Sequence, residues 1–167
     1  SSVIRSFASK TTESIWHGQR VTKLSLDVQR VGRRKLRMLN NASELHELRV
    51  PPQNKLEQLK GDHRLPLRST DMEKLPNIHP GEVLKEEFLD PMGVSAYRLA
   101  KDTRIPQTRV ADIIHGRRRV TADTALRLGK YFGTSARFWL GLQDDYDLEA
   151  ELESKKEEIE WIPTLTS

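Results

Sequence analysis

Over its second half the chain repeats apolar positions at helical spacing, and punctuating residues cut that pattern into five stretches. In "HPGEVLKEEFLDP", Val83, Leu84 and Phe88 share one stripe. Pro80 stands at a first helical position, Glu82 sits near the positive end of the helix dipole, and Pro91 is expected to end the helix. Ser95 is an N-cap for "AYRLAKDT". Pro106 opens the next helix, which runs to His115 and closes at Gly116. Thr121 caps "ADTALRLGKYF", Gly133 stops it, and Ser135 caps "ARFWLGLQDDYDLEAELESK". Joined by loops of about two to six residues, these stretches predict an all-α five-helix bundle.

The first half is less regular. "SVIRSFA" alternates its side chains like a short strand. "LDVQRVGRRKLRMLNNASEL" places Val28, Val31, Leu36 and Leu39 on one helical stripe, with its arginines and lysine elsewhere, and Asn40 and Asn41 make a C-terminal stop. "KLEQL" is a possible second strand. A truncated α+β segment results, with too few strands to cover a sheet. "HRLPLRSTDMEKLPN" lacks either periodicity and carries Pro66 and Pro76, so it reads as a linker. The expected division is 1–64, a linker over 65–76, a helical domain over 77–150, and an acidic tail over 151–167.

Charge sharpens this division. The 167 residues hold 28 Lys and Arg against 24 Asp and Glu, a formal net charge of +4. The excess is uneven: residues 1–71 contain 14 basic and seven acidic side chains, residues 72–167 contain 14 and 17. The acidity gathers in "DDYDLEAELESKKEEIE", which is either a solvated helix end or a clasp for a basic partner, including the first segment. Cysteine is absent, no apolar run approaches the roughly 20 residues of a membrane span, and no signal-peptide pattern opens the chain. A cytoplasmic protein without membrane contact is expected. The five histidines show no metal-ligand spacing, and no phosphate-cradling loop or nucleophile signature occurs, so no cofactor is expected.

Residues 95–119 carry the most specific pattern. A helix-turn-helix needs a small residue where its helices touch and apolar residues at fixed offsets. Ala100 is the small residue, with Leu99 beside it; Ile105 fills the turn, and Val110 and Ile113 point the second helix into the core. At the turn position often filled by glycine stands Arg104, where a left-handed backbone costs a non-glycine residue roughly 1–2 kcal/mol. With Val110 and Ile113 inward, Gln107, Thr108, Arg109 and Asp112 face outward near the end that a recognition helix presents to base edges. Gln107 suits adenine and Thr108 a thymine methyl; Arg109 suits guanine or phosphate; Asp112 either holds Arg109 or accepts from cytosine. Ser95 suits a phosphate at a helix N-terminus, and Arg117, Arg118 and Arg119 would neutralise backbone charge. Three adjacent arginines alone more often make a solvated loop; together with the apolar offsets and caps they point to double-stranded DNA. On the last helix Leu142, Tyr146 and Leu148 are candidates for a dimer face, because such proteins usually bind two half-sites.

"HPGE", "VTADTALRL" and "FWLGLQ" resemble the HigA antitoxin family of Xre-type, lambda-repressor-like helix-turn-helix repressors, over residues 72–160. The resemblance implies a homodimer on a palindromic operator that represses its own operon, and binding of a HigB-like toxin. The positions that match that family's DNA-contact face are Ser95, Gln107, Thr108, Arg109 and Asp112. "VIRSF", the helical stretch after Leu26 and "LEQLKGD" look like the beginning of HigB, a RelE-like ribonuclease. That resemblance stops near Arg64, before the strands and tail that supply much of the family's catalytic set. His17, His46, Lys60, His63 and Arg64 remain as acid–base or cationic candidates without a sheet to hold them, so enzymatic activity is not expected. The alternative is a fused toxin–antitoxin with residual or complemented mRNA cleavage.

Overall fold

A computed structural model describes residues 4–43, 45–48 and 74–165. Its helices are α1 (Lys10–Trp16), α2 (Leu26–Asn41), α3 (Pro80–Val83), α4 (Asp90–Met92), α5 (Ala96–Thr103), α6 (Gln107–Ile114), α7 (Ala122–Phe132) and α8 (Ala136–Glu160). A 3₁₀ turn covers Leu45–Leu48, and a π-helical stretch, Leu84–Leu89, joins α3 to α4. From Pro80 onward these elements form the expected five-helix bundle.

Local chemistry sets most boundaries. Ser95 Oγ accepts from Arg98 N at 3.1 Å and Ser135 Oγ from Phe138 N at 3.1 Å, the anticipated caps. Gly133 ends α7 at φ 75°. Pro91 does not end its helix. A proline ring clashes with the carbonyl four residues back, and the backbone widens instead, so that Asp90 N donates to Lys85 O across a π turn. The chain passes Pro91 and stops at Gly93, which is left-handed at φ 64°.

The core is aromatic. Phe88, Phe138 and Trp139 are fully buried; Phe88 lies 4.9 Å from the Phe132 and Trp139 rings, and Trp139 Nε1 donates to Thr134 Oγ1 at 2.9 Å. Gly81 brings the start of α3 against the end of α6: a Cβ there would strike the Ile113 carbonyl. This close approach seats α6 on the bundle.

The first segment departs from expectation. Ile4 to Phe7 form no strand, and the β pairing among the described residues is one antiparallel bridge between Gln19 and Lys74. "KLEQL" lies outside the described residues, as do 65–73 of the anticipated linker. Lys74 to Pro76 are not free linker, because Leu75 is buried and its N–H donates to Gly18 O at 2.6 Å.

Helix α2 is turned over. Its anticipated apolar stripe is half-exposed, Leu39 reaching 43 % exposure, whereas Gln29, Arg33, Arg34, Arg37 and Met38 are buried. The described residues supply no sheet for the stripe, and the bundle supplies carboxylates for the arginines. Arg30 meets Glu82, Arg34 and Lys35 meet Glu87, Arg33 and Arg37 meet Glu149, and Asn41 Nδ2 donates to Asp145 at 2.8 Å. Arg33 also donates to Pro76 O at 2.7 Å, and Arg37 to Asn77 Oδ1 at 3.1 Å. Beyond α2, the buried Glu47 accepts from Ser135 N at 2.6 Å, placing its carboxylate at the positive end of α8. The acidic stretch of α8 thus clasps the basic segment.

Candidate nucleic-acid interface

The helix-turn-helix is built by α5, a tight turn and α6. Leu99, Ala100, Ile105, Val110 and Ile113 are all buried, between 0 % and 7 % exposed. Arg104 is left-handed at φ 57°, ψ 31°, the conformation that glycine would take without strain. Thr103 Oγ1 folds back onto Leu99 O at 2.5 Å, and Arg127 Nη1 donates to Thr103 O at 2.9 Å, so α7 holds the end of α5.

With one side of α6 in the core, Gln107 and Thr108 are exposed on the other, in its first turn. Arg109 and Asp112 lie beside them, half-exposed, but they do not pair with each other. Arg109 Nη1 donates to Asp123 Oδ2 at 3.1 Å, and Arg127 Nε binds the other oxygen of that carboxylate at 3.0 Å. The Arg127 hydrogen bond, with help from Arg109, holds the Asp123 carboxyl below its ordinary value. Asp112 Oδ1 accepts from Arg117 Nε and Nη2 at 3.1 and 3.0 Å, while its carbonyl accepts from the Arg117 and Arg118 backbone N–H groups. A guanidinium–carboxylate pair spaced five residues apart thus replaces the anticipated Arg109–Asp112 contact.

The three arginines are unlike. Arg119 Nη2 donates to Asp147 Oδ2 at 3.0 Å, and Gln143, buried in α8, holds the loop by accepting from Val120 N at 2.8 Å. Arg118 makes no ion pair among the described residues and is exposed. Ser95 is exposed at the N-terminus of α5, its hydroxyl engaged in the cap. Gln107, Thr108, Arg109, Asp112 and the arginine loop therefore form a polar surface whose ion pairs, screened by solvent, yield readily to a polyanion.

Residues 84–139 match the helix-turn-helix family model. Virulence-associated protein I of Dichelobacter nodosus is 47 % identical over 94 residues, which span 56 % of this chain and 86 % of that one. The solved addiction module antidote protein of a HigA family from Coxiella burnetii is 49 % identical with a TM-score of 0.51, over 54 % of this chain and 98 % of its own. The chain belongs to the HigA family. Pseudomonas aeruginosa antitoxin HigA, solved with the higBA promoter, is 39 % identical with a TM-score of 0.52, over 55 % of this chain and 100 % of its own. These likenesses span little more than half of the chain, and the HigB-like reading of residues 1–64 draws no support from them.

Two expectations about the HigA bundle need correction or extension. Leu142 is 1 % exposed within its own core, between α7 and α8, so it cannot form a dimer face. Tyr146 is half-buried, edge-on to the His79 ring at 4.9 Å. Leu148 is exposed, and Leu152 and Ile159 continue its outward stripe along α8. Sequence reading missed Asp123 and Arg127, which position Arg109 from another helix; an acid and a base four residues apart on α7 were their one local signal. Of the ribonuclease candidates, His17 is an exposed residue capping α1, while Lys60, His63, Arg64 and the His46 side chain lie outside the described residues.

Proposed function

We propose that the protein is a sequence-specific DNA-binding antitoxin that represses its own toxin–antitoxin operon and neutralises a HigB-like toxin, without catalytic activity of its own. One observation carries the reading: Gln107 and Thr108 stand open to solvent in the first turn of α6, while Val110 and Ile113 of the same helix are buried in the core. A helix so oriented enters the major groove N-terminus first. Gln107 then pairs with adenine and Thr108 touches a thymine methyl, each good bidentate contact discriminating by about 1–3 kcal/mol. Arg109 leaves Asp123 for guanine or a phosphate. Ser95 and the Arg117–Arg119 loop lie along the sugar–phosphate backbone, with Asp112 steering Arg117. The solved HigA relative with its promoter supports this docking.

Two half-sites call for two copies. Leu148, Leu152 and Ile159, all exposed on α8, supply the homodimer face in place of Leu142. In the first segment we read residues 1–64 as a HigB-like fragment, held on the antitoxin by α2.

The test is retardation of the operon's upstream duplex by the full chain. Gln107→Ala with Arg109→Ala should abolish the specific shift while leaving weak, salt-sensitive binding. Undiminished specific binding by that double variant would overturn the reading.

A further inference from the structure

The carboxylates that hold α2 form a continuous surface along one side of the bundle. Glu82 and Glu87 come from α3 and the π stretch, Asn77 precedes them, and Asp145 and Glu149 lie one turn apart on α8. Opposite them α2 offers Arg30, Arg33, Arg34 and Arg37, where Arg33 and Arg34 each lie three or four residues from both Arg30 and Arg37, so the four share one side of the helix. Against the end of α2, α8 carries Gly141, where a Cβ would run into the Asn41 side chain. A glycine inside a long helix costs about 1 kcal/mol relative to alanine, and here it leaves a notch that the Asn41 side chain at the end of α2 fills. Glu47 extends the contact to the N-terminus of α8.

We propose that this acidic, notched face is a receptor for an arginine-bearing helix, and that α2 occupies it in cis, closing it to a separate protein presenting such a helix. The proposal deepens the partner-binding half of the proposed function and rests on it only for the partner's biological identity. Three features mark the occupant as exchangeable. Of the α2 side chains only Met38 enters the bundle's apolar core. The recognition is ionic, which confers specificity more than stability. Finally, Arg33 Nε and Arg37 Nη1 are buried without a hydrogen-bond partner, so the cis fit is incomplete.

Full chains test this by complementation. Arg33→Glu with Arg37→Glu releases α2 and opens the face of one chain. Glu82→Lys with Glu149→Lys blocks the face of another and frees an intact α2. Labelled with donor and acceptor dyes, the two variants should associate, giving energy transfer above either variant mixed with itself. Wild-type chain mixed with the face-blocked variant should bind at least tenfold more weakly, because its face is taken. Cooperative thermal unfolding followed by circular dichroism checks that each bundle is intact, and a labelled peptide of residues 25–43 replaces the face-blocked chain if that variant fails to fold. Two results overturn the proposal: no association of the open chain with either probe, or wild type associating as tightly as the open variant. Operator retardation by the same variants reports on α6, whose side-chain bonds go to α7 and the following loop and not to α2, and so separates failure of this inference from failure of the DNA reading.

Discussion

Arg33 and Glu149 lie 116 residues apart and form a direct ion pair, the guanidinium only 1 % exposed. Glu149 also binds Arg37, so one carboxylate answers two buried cations. The Arg37 guanidinium is pulled below its ordinary value, by burial first and by Arg33 second, with Glu149 opposing both. Removing the carboxylate should therefore cost more than removing an arginine. Glu149→Ala leaves the buried Arg33 without its carboxylate and Arg37 with only the charge of Asp145, and should destabilise α2 docking by about 3 kcal/mol, whereas Arg33→Met, which keeps the volume and removes the charge, should cost under about 1 kcal/mol. Urea titration followed by hydrogen exchange of the α2 amides measures both; equal losses would refute the argument.

What the sequence showed plainly was whatever local chemistry determines. Ser95 and Ser135 cap because the residue three positions on has an orphan N–H, and the Arg104 backbone is left-handed because the turn leaves no other path. Leu99, Ala100, Ile105, Val110 and Ile113 all reached the core because a helix-turn-helix fixes their offsets. Helix α2 was misread because periodicity reports which residues share a face and not what waits opposite. Its arginines outrank Val28, Val31 and Leu36 only when Glu82, Glu87 and Glu149 arrive from 48 to 116 residues away. Leu142 belongs to the core because the buried and exposed apolar stripes of α8 run side by side, and spacing alone does not tell them apart. The carboxylate that holds Arg109 is not legible in the sequence because Asp123 is near in space but 14 residues off along the chain.

Arg104 gives a second prediction. Its left-handed backbone costs an L-residue roughly 1–2 kcal/mol, while glycine gives back about 0.4–1 kcal/mol through a more disordered unfolded chain. Arg104→Gly should then stabilise the protein by about 0.5–1 kcal/mol, and Arg104→Ala, equally strained, should not. Thermal unfolding of the pair decides it. A destabilised glycine variant would mean that the Arg104 side chain contributes more than its backbone costs.

His79 couples the fold to pH. Its Nδ1 accepts from Gly81 N at 2.9 Å, capping α3, which requires that nitrogen to be unprotonated. Burial, against the pull of Asp147 and Glu82, lowers the imidazole from its usual 6.5. The unfolded chain therefore takes up the proton first. Stability is complete above about 6.5, falls as pH drops below that value, and levels off only beneath the folded-state value. Asn at position 79 caps without titrating. His79→Asn should flatten the loss of stability between pH 7.5 and pH 5; an unchanged slope would place the sensitivity in the carboxylates.

The arginine loop offers a graded test of the DNA surface. Each phosphate contact releases counterions and steepens the fall of affinity with salt, by about one unit of logarithmic slope per contact. Arg118 is exposed and makes no ion pair among the described residues, so it reaches a phosphate without giving anything up. Arg119 must first leave Asp147, and its loss also removes a charge that now offsets that carboxylate. Arg118→Ala should therefore lower the slope by about one, and Arg119→Ala by less, in retardation experiments across a range of potassium chloride. Neither should change which sequence is preferred, since a phosphate contact positions the protein and reads no base. Should Arg118→Ala leave the slope untouched, the loop is a solvated turn, and backbone contacts must come from Ser95 and the start of α5.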